Sequence, residues 1–189
     1  MSILIKDKNK VYVAVSEEEL GIRVGDTLTN NLLPNNMIVR KISNEVLISG
    51  QQSLELDMLE RVLKSKDLKK LNYDMLDKEI YHEVRDSVNK FGRRRDNDRL
   101  YFPLIVVNKN KMYKIERYGF VIEEKDSFFD GPLPRFEVAT CSLKLHKDLP
   151  PLDKIKNVYQ DLDKYSRTKS GNIYVFNNKN DEINIIREV

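Results

Sequence analysis

Ser2-Ile3-Leu4-Ile5 and Val11-Tyr12-Val13-Ala14-Val15, separated by the polar tetrad Asp7-Lys8-Asn9-Lys10, decide how this chain is read. Both runs are rich in β-branched and aromatic residues, which suits strands. A connection this short joins antiparallel neighbours, because a parallel crossover needs about a dozen residues or more. The same arrangement recurs at Met37-Ile38-Val39-Arg40-Lys41-Ile42 and Val46-Leu47-Ile48-Ser49, around Asn44-Glu45, with Gly50 ending the pair. Between the two pairs, residues 16–36 form a polar excursion in which Gly21, Gly25 and Pro34 break any helix.

Helical spacing follows. Leu54, Met58, Leu59, Val62 and Leu63 share one face behind Ser53, a suitable N-cap. Tyr73, Leu76, Ile80, Val84, Val88 and Phe91 form a second stripe that Gly92 closes. Each helix is apolar on one side and charged on the other, so each needs a flat partner, and a sheet supplies one. Strands resume over Leu100–Val107, Met112–Ile115 and Phe120–Ile122, with Asn108-Lys109-Asn110-Lys111 as a turn. Residues 124–134 read as a loop by composition, and Phe136–Leu145 as a further strand. After Pro150-Pro151, the residues Leu152, Ile155, Val158, Tyr159, Leu162 and Tyr165 mark a third helix, with proline in its first turn. A closing hairpin pairs Asn172–Phe176 with Ile183–Ile186. Antiparallel strand pairs alternating with helices give an α+β chain in which helices layer onto sheets. No internal repeat or domain boundary is visible, so residues 1–189 are read as one domain.

Composition sets the outer limits. The 189 residues are 40% hydrophobic and 33% charged, with a net charge of +3. That balance excludes a polybasic binder on charge grounds, and nucleic acid is not the expected partner. One cysteine and two histidines leave no cysteine–histidine zinc site, and Asp96-x-Asp98 lacks the further oxygen ligands of a calcium loop. No metal or cofactor is therefore expected. There is no apolar run long enough to span a membrane and no leader-like stretch at the start, so the expected location is the cytoplasm.

Several residues invite a functional reading, each with an ordinary one beside it. Arg93, Arg94 and Arg95, with Arg99, are the densest basic cluster; they could grip phosphate or line an interface, but Asp96 and Asp98 interleave them as in a solvated connection. Phe128 and Phe129 stand in the Gly/Pro segment; they either tuck onto the core or form a contact patch for a partner. His82 and His146 are read as solvent-facing or locally bonded, and Cys141 as a small buried hydrophobe in a strand.

The order of elements resembles the N-terminal nucleophile (Ntn) hydrolase fold, in its proteasome-β and HslV branch. Met1-Ser2-Ile3-Leu4-Ile5 looks like that family's first strand, Val11–Val15 its second, and Val39–Ile42 with Val46–Gly50 its third and fourth. Ser170-Gly171-Asn172-Ile173-Tyr174-Val175 looks like the stretch entering its late strands. The resemblance implies a four-layer αββα sandwich of two antiparallel sheets. It also implies a chemistry: an N-terminal hydroxyl as nucleophile, its own α-amine as base through water, and a lysine and an aspartate in support. The nucleophile slot falls on Ser2 once Met1 is removed, and Ser170 keeps the late serine. The supporting aspartates fall on Ser16 and Arg167, and the lysine on Met37 or Ile38; Lys41 could supply charge only in another strand register. The expectation is a proteasome-subunit-like protein without catalysis, forming homo-oligomers or binding a protein partner. The alternative is an active peptidase or amidase using Ser2, Ser170 and Lys41 on a peptide substrate.

Overall fold

The N-terminal runs pair as expected: β1 (Ser2–Asp7) lies antiparallel to β2 (Lys10–Glu17), with Ile3 opposite Ala14 and Leu4 opposite Val13. Lys8 takes a left-handed φ of 51° in the tight turn between them. The computed structural model describes residues 2–8, 10–17, 19–24, 27–34, 37–92, 99–100, 102–130, 135–165, 169–177 and 182–186. Within them, the chain continues through β3 (Glu19–Val24), β4 (Thr27–Pro34), β5 (Met37–Lys41) and β6 (Val46–Gln51). Next come α1 (Leu54–Lys64), α2 (Tyr73–Met75) and α3 (Tyr81–Gly92), then β7 (Leu104–Asn108), β8 (Lys111–Ile115), β9 (Val121–Glu124) and β10 (Ser127–Asp130). The last elements are α4 (Arg135–Leu145), α5 (Pro151–Tyr165), β11 (Lys169–Asn177) and β12 (Glu182–Ile186).

Ten strands form two five-stranded sheets, ordered β10-β1-β2-β11-β12 and β5-β6-β7-β8-β9, and β3-β4 is a separate hairpin. Among the described residues, the strand pairings are antiparallel throughout. Side-chain parity explains the layers, because successive strand residues face opposite sides. Leu4, Val11, Val13, Val15 and Phe128 of the first sheet meet Leu47, Ile105, Val107 and Met112 of the second, filling the space between the sheets. On the outer face of the first sheet, Ile3, Ile5, Ala14 and Phe129 pack on Ile155, Val158 and Leu162 of α5 and Leu143 of α4. On the outer face of the second, Val46, Ile48, Leu104 and Val106 pack on Leu56, Leu59 and Leu63 of α1 and Val84 of α3. The result is an αββα sandwich. Each central strand is buried on both faces, which is why these runs read as continuous apolar segments rather than as alternations.

Local signals explain the helix ends. The Ser53 side chain accepts from the Leu56 amide, and α5 begins at Pro151. Gly50 fits where β6 turns into α1, since a Cβ there would sit 3.3 Å from Leu56 and Leu104 side-chain carbons.

Four expectations change. Residues 16–36 hold a β-hairpin, β3-β4, with an irregular register between Leu20 and Ile22. The helix expected from Tyr73 to Phe91 runs as α2, a π-helical turn at Leu76–Ile80, and α3. The 124–134 stretch contains β10, whose Phe128 and Phe129 face opposite layers, so the pair looked like an aromatic loop instead of a strand buried on both sides. Phe136–Leu145 is helical: Ala139, Ser142 and Leu143 form the buried i, i+3, i+4 set, and a serine in that set hid the stripe. The same change places Cys141 on the exposed face of α4, where a strand would have buried it.

Candidate functional site

Ser2 opens β1 and lies completely buried. It shares the inner face with Leu4, and its hydroxyl lies 3.4 Å from the Ser49 hydroxyl of β6, so one hydrogen bond spans the two sheets. Such a bond contributes about 1 kcal/mol net, and losing one partner strands the other in a dry seam. Across β6, Ser49 stands opposite Val39 on β5 and Ile105 on β7.

Across β1, Ser2 stands opposite Asp130, the last residue of β10. Directly paired residues face the same side of a sheet, so Asp130 also points into the seam; it is 8% exposed. Its carboxylate meets the Lys114 ammonium of β8 at 3.1 Å, and Lys114 also bonds Glu116 at 2.7 Å. Lys114 is opposite Ile105, one of the inter-sheet residues, so this ion pair closes the same end of the seam as Ser2 and Ser49. Burial pulls the Lys114 ammonium downward, but Asp130 and Glu116 together outweigh it and hold the group above the ordinary lysine value.

The opposite flank is apolar. Met37 and Val39 pack against the inter-sheet cluster, and Ile38 turns to the helical side. Arg40 also faces that side, bonding Asp57 and Glu60 of α1 at 2.7 Å each. Lys41 ends β5, exposed, opposite Leu47, so it lies two residues along from the Val39–Ser49 row. At about 3.4 Å per residue that is roughly 7 Å along the strand. Ser170 of β11 stands opposite Ser16 of β2, at the end of the first sheet that holds Ser2, with β2 between. Arg93, Arg94, Arg95 and Arg167, like Met1, lie outside the described residues.

Phe128 and Phe129 are both buried, and Phe129 lies 6.3 Å from the Phe136 ring of α4. They form part of the wall of a groove of about 780 Å³ between β8–β10 and α4, with Lys114 at its edge. Behind it, Asp161 of α5 accepts from Ser142 at 2.7 Å and lies 3.4 Å from His146 Nε2. Lys164, then Ser142, hold the Asp161 carboxyl below its usual range. Because both Ser142 and His146 turn to the carboxylate, this cluster is a clamp between α4 and α5 that keeps α4 behind β10. Sequence reasoning missed Lys114, Glu116 and Asp130. The available signal was the i, i+2 spacing of Lys114 near the end of β8 and Glu116 just beyond it.

No protein-family model and no curated protein matches the chain. Among solved structures, it is similar to the BPH of Thiobacillus denitrificans in complex with epoxomicin. The TM-score is 0.60 at 10% identity, covering 98% of this chain and 97% of the other. That likeness shows the fold alone, an Ntn-hydrolase-like αββα sandwich, over nearly the whole chain. Among the described residues, no helix is long and apolar enough to cross a membrane.

Proposed function

We propose that this chain is a proteasome-β-like subunit that works through self-assembly or partner binding rather than by hydrolysis. The carrying observation is the state of Ser2: completely buried, hydrogen-bonded to Ser49, and flanked on the β5 side by Met37 and Val39 instead of a lysine. A nucleophile needs both access and a base within hydrogen-bond reach. The groove beside Phe128 and Phe129 offers an apolar wall with a charged rim to a protein segment.

A second reading keeps hydrolysis, and two observations favour it. Ser2, Asp130 and Lys114 close the same end of the seam, and the similar BPH structure carries epoxomicin. Two measurements separate the readings. Peptide-amide turnover is compared between the wild-type chain and Ser2→Ala, and sedimentation gives the assembly state. No Ser2-dependent turnover, with a species larger than one chain, is the expected result. Ser2-dependent turnover overturns the non-hydrolytic reading, and a monomer overturns the self-assembly half.

A further inference from the structure

The groove between β8–β10 and α4 carries charge that nothing in the fold uses. Its strand wall reaches Asp126, whose carbonyl accepts from the Lys6 amide, while Ser2 stands opposite Asp130. At about 3.3 Å per residue, that end of the groove lies roughly 13 Å along the ladder from Ser2. The floor is apolar. Phe129 and Leu143 are buried beneath it, while Ile122 on the strand side and Phe136 on the helix side are each 41% exposed. Large apolar side chains left open across one groove gain by being covered.

The two walls carry opposite charge. Lys144 near the end of α4, Lys147 just beyond it and Lys154 in the first turn of α5 stand on one side, where Asp148 is the opposing carboxylate. Glu124 and Asp126 stand on the other, where Glu116 is already taken by Lys114. Among the described residues, Lys144, Lys147, Lys154, Glu124 and Asp126 form no ion pair. Complementary charges are thus held apart across the groove, and each row is left for what lies between. The floor and the two walls ask for different chemistry in three directions. An extended strand sends its side chains only two ways, whereas a helix offers a stripe and two flanks. A volume of about 780 Å³ takes one side of such a helix, over roughly two to three turns. A small zwitterion would meet only one end of each row.

We propose that this groove docks an amphipathic helix of another protein, with its apolar stripe over Ile122 and Phe136, acidic side chains along the α4 wall and basic ones along the β9 wall. This inference rests on the partner-binding half of the reading above and names that partner's chemistry. Turnover at Ser2 does not bear on it.

The test uses the full chain and three fluorescein-labelled helical peptides that share a leucine stripe, read by fluorescence anisotropy. In the first, glutamates line one flank and lysines the other. In the second, the same residues are interleaved on both flanks, and in the third both flanks are lysine. The segregated peptide should bind about tenfold more tightly than the other two, because each of those sets like charges against a wall. The advantage should shrink in salt. Lys144→Glu with Lys147→Glu, both at exposed positions, makes both walls acidic. That variant should lose about tenfold for the segregated peptide and prefer the peptide with lysine on both flanks. No preference in the wild type, or a preference that the double variant leaves unchanged, overturns the proposal. So does a double variant that loses its own assembly in sedimentation, because the groove would then hold a second copy of the chain. Ser2-dependent turnover would sink the non-hydrolytic reading and leave the peptide preference in place, so the two failures are told apart.

Discussion

The two flanks of the seam beside Ser2 are built on different physics. On the β5 flank, Met37 and Val39 fill the space between the sheets, while the two nearby cations are placed elsewhere, Arg40 against α1 and Lys41 exposed at the strand end. On the β10 flank, a cation and two carboxylates lie in nearly the same layer. One strand residue separates these outcomes, because parity alone sends Arg40 to the helices and Val39 to the seam. A charged residue close in sequence to a site is thus no guide to its electrostatics until its face is known.

The contrast can be broken from the charged side first. Asp130→Asn should cost about 3 kcal/mol in urea unfolding, since it leaves Lys114 short of a partner in a mostly buried place. Adding Lys114→Met to that variant should recover much of the loss, because an apolar replacement of both partners removes the stranded charge. A double variant no better than the single one would show that the pair is solvated. On the apolar flank, Val39→Ala should cost about 1 kcal/mol through lost packing alone, with no change in the salt dependence of stability. Arg40→Ala should cost about 0.5 kcal/mol, because its acidic partners on α1 are partly exposed and the loss should shrink in salt.

The smallest effect lies at alkaline pH. The folded value of Lys114 is raised, so its contribution is complete below the unfolded lysine value of 10.5 and is lost as pH climbs through the folded one. Burial also pushes Tyr113 up, to about 12 from 10.0, with the same sign: its ionisation favours the unfolded chain between those values. Urea midpoints should therefore fall above pH 10. Tyr113→Phe should remove the earlier part of the fall, and Lys114→Met the later part. An unchanged alkaline limb in both variants would contradict the assignment.

Most of the sandwich was legible because its strands are continuous apolar runs with short polar connections, as at Ile3–Ile5 and Val11–Val15, and because Ser53 and Pro151 mark helix starts. The β10–α4 segment was not. A four-residue strand with Phe128 and Phe129 on opposite faces has no period to detect, and Ser142 in the buried stripe of α4 conceals the helix. The same segment carries Asp130, whose part in the seam depends on pairing with β1, more than a hundred residues away in sequence. Ser2 could be singled out from its position at the start of the chain. Its burial and its Ser49 partner needed the second sheet to be laid over the first.

Intact mass of the Met1-free chain, before and after incubation with epoxomicin, tests the central claim most directly, because an epoxyketone captures a hydroxyl nucleophile together with its neighbouring free amine. With Ser2 buried in the seam against Ser49, the mass should stay unchanged. One stoichiometric adduct, absent in Ser2→Ala, would contradict the account and make the chain a hydrolase.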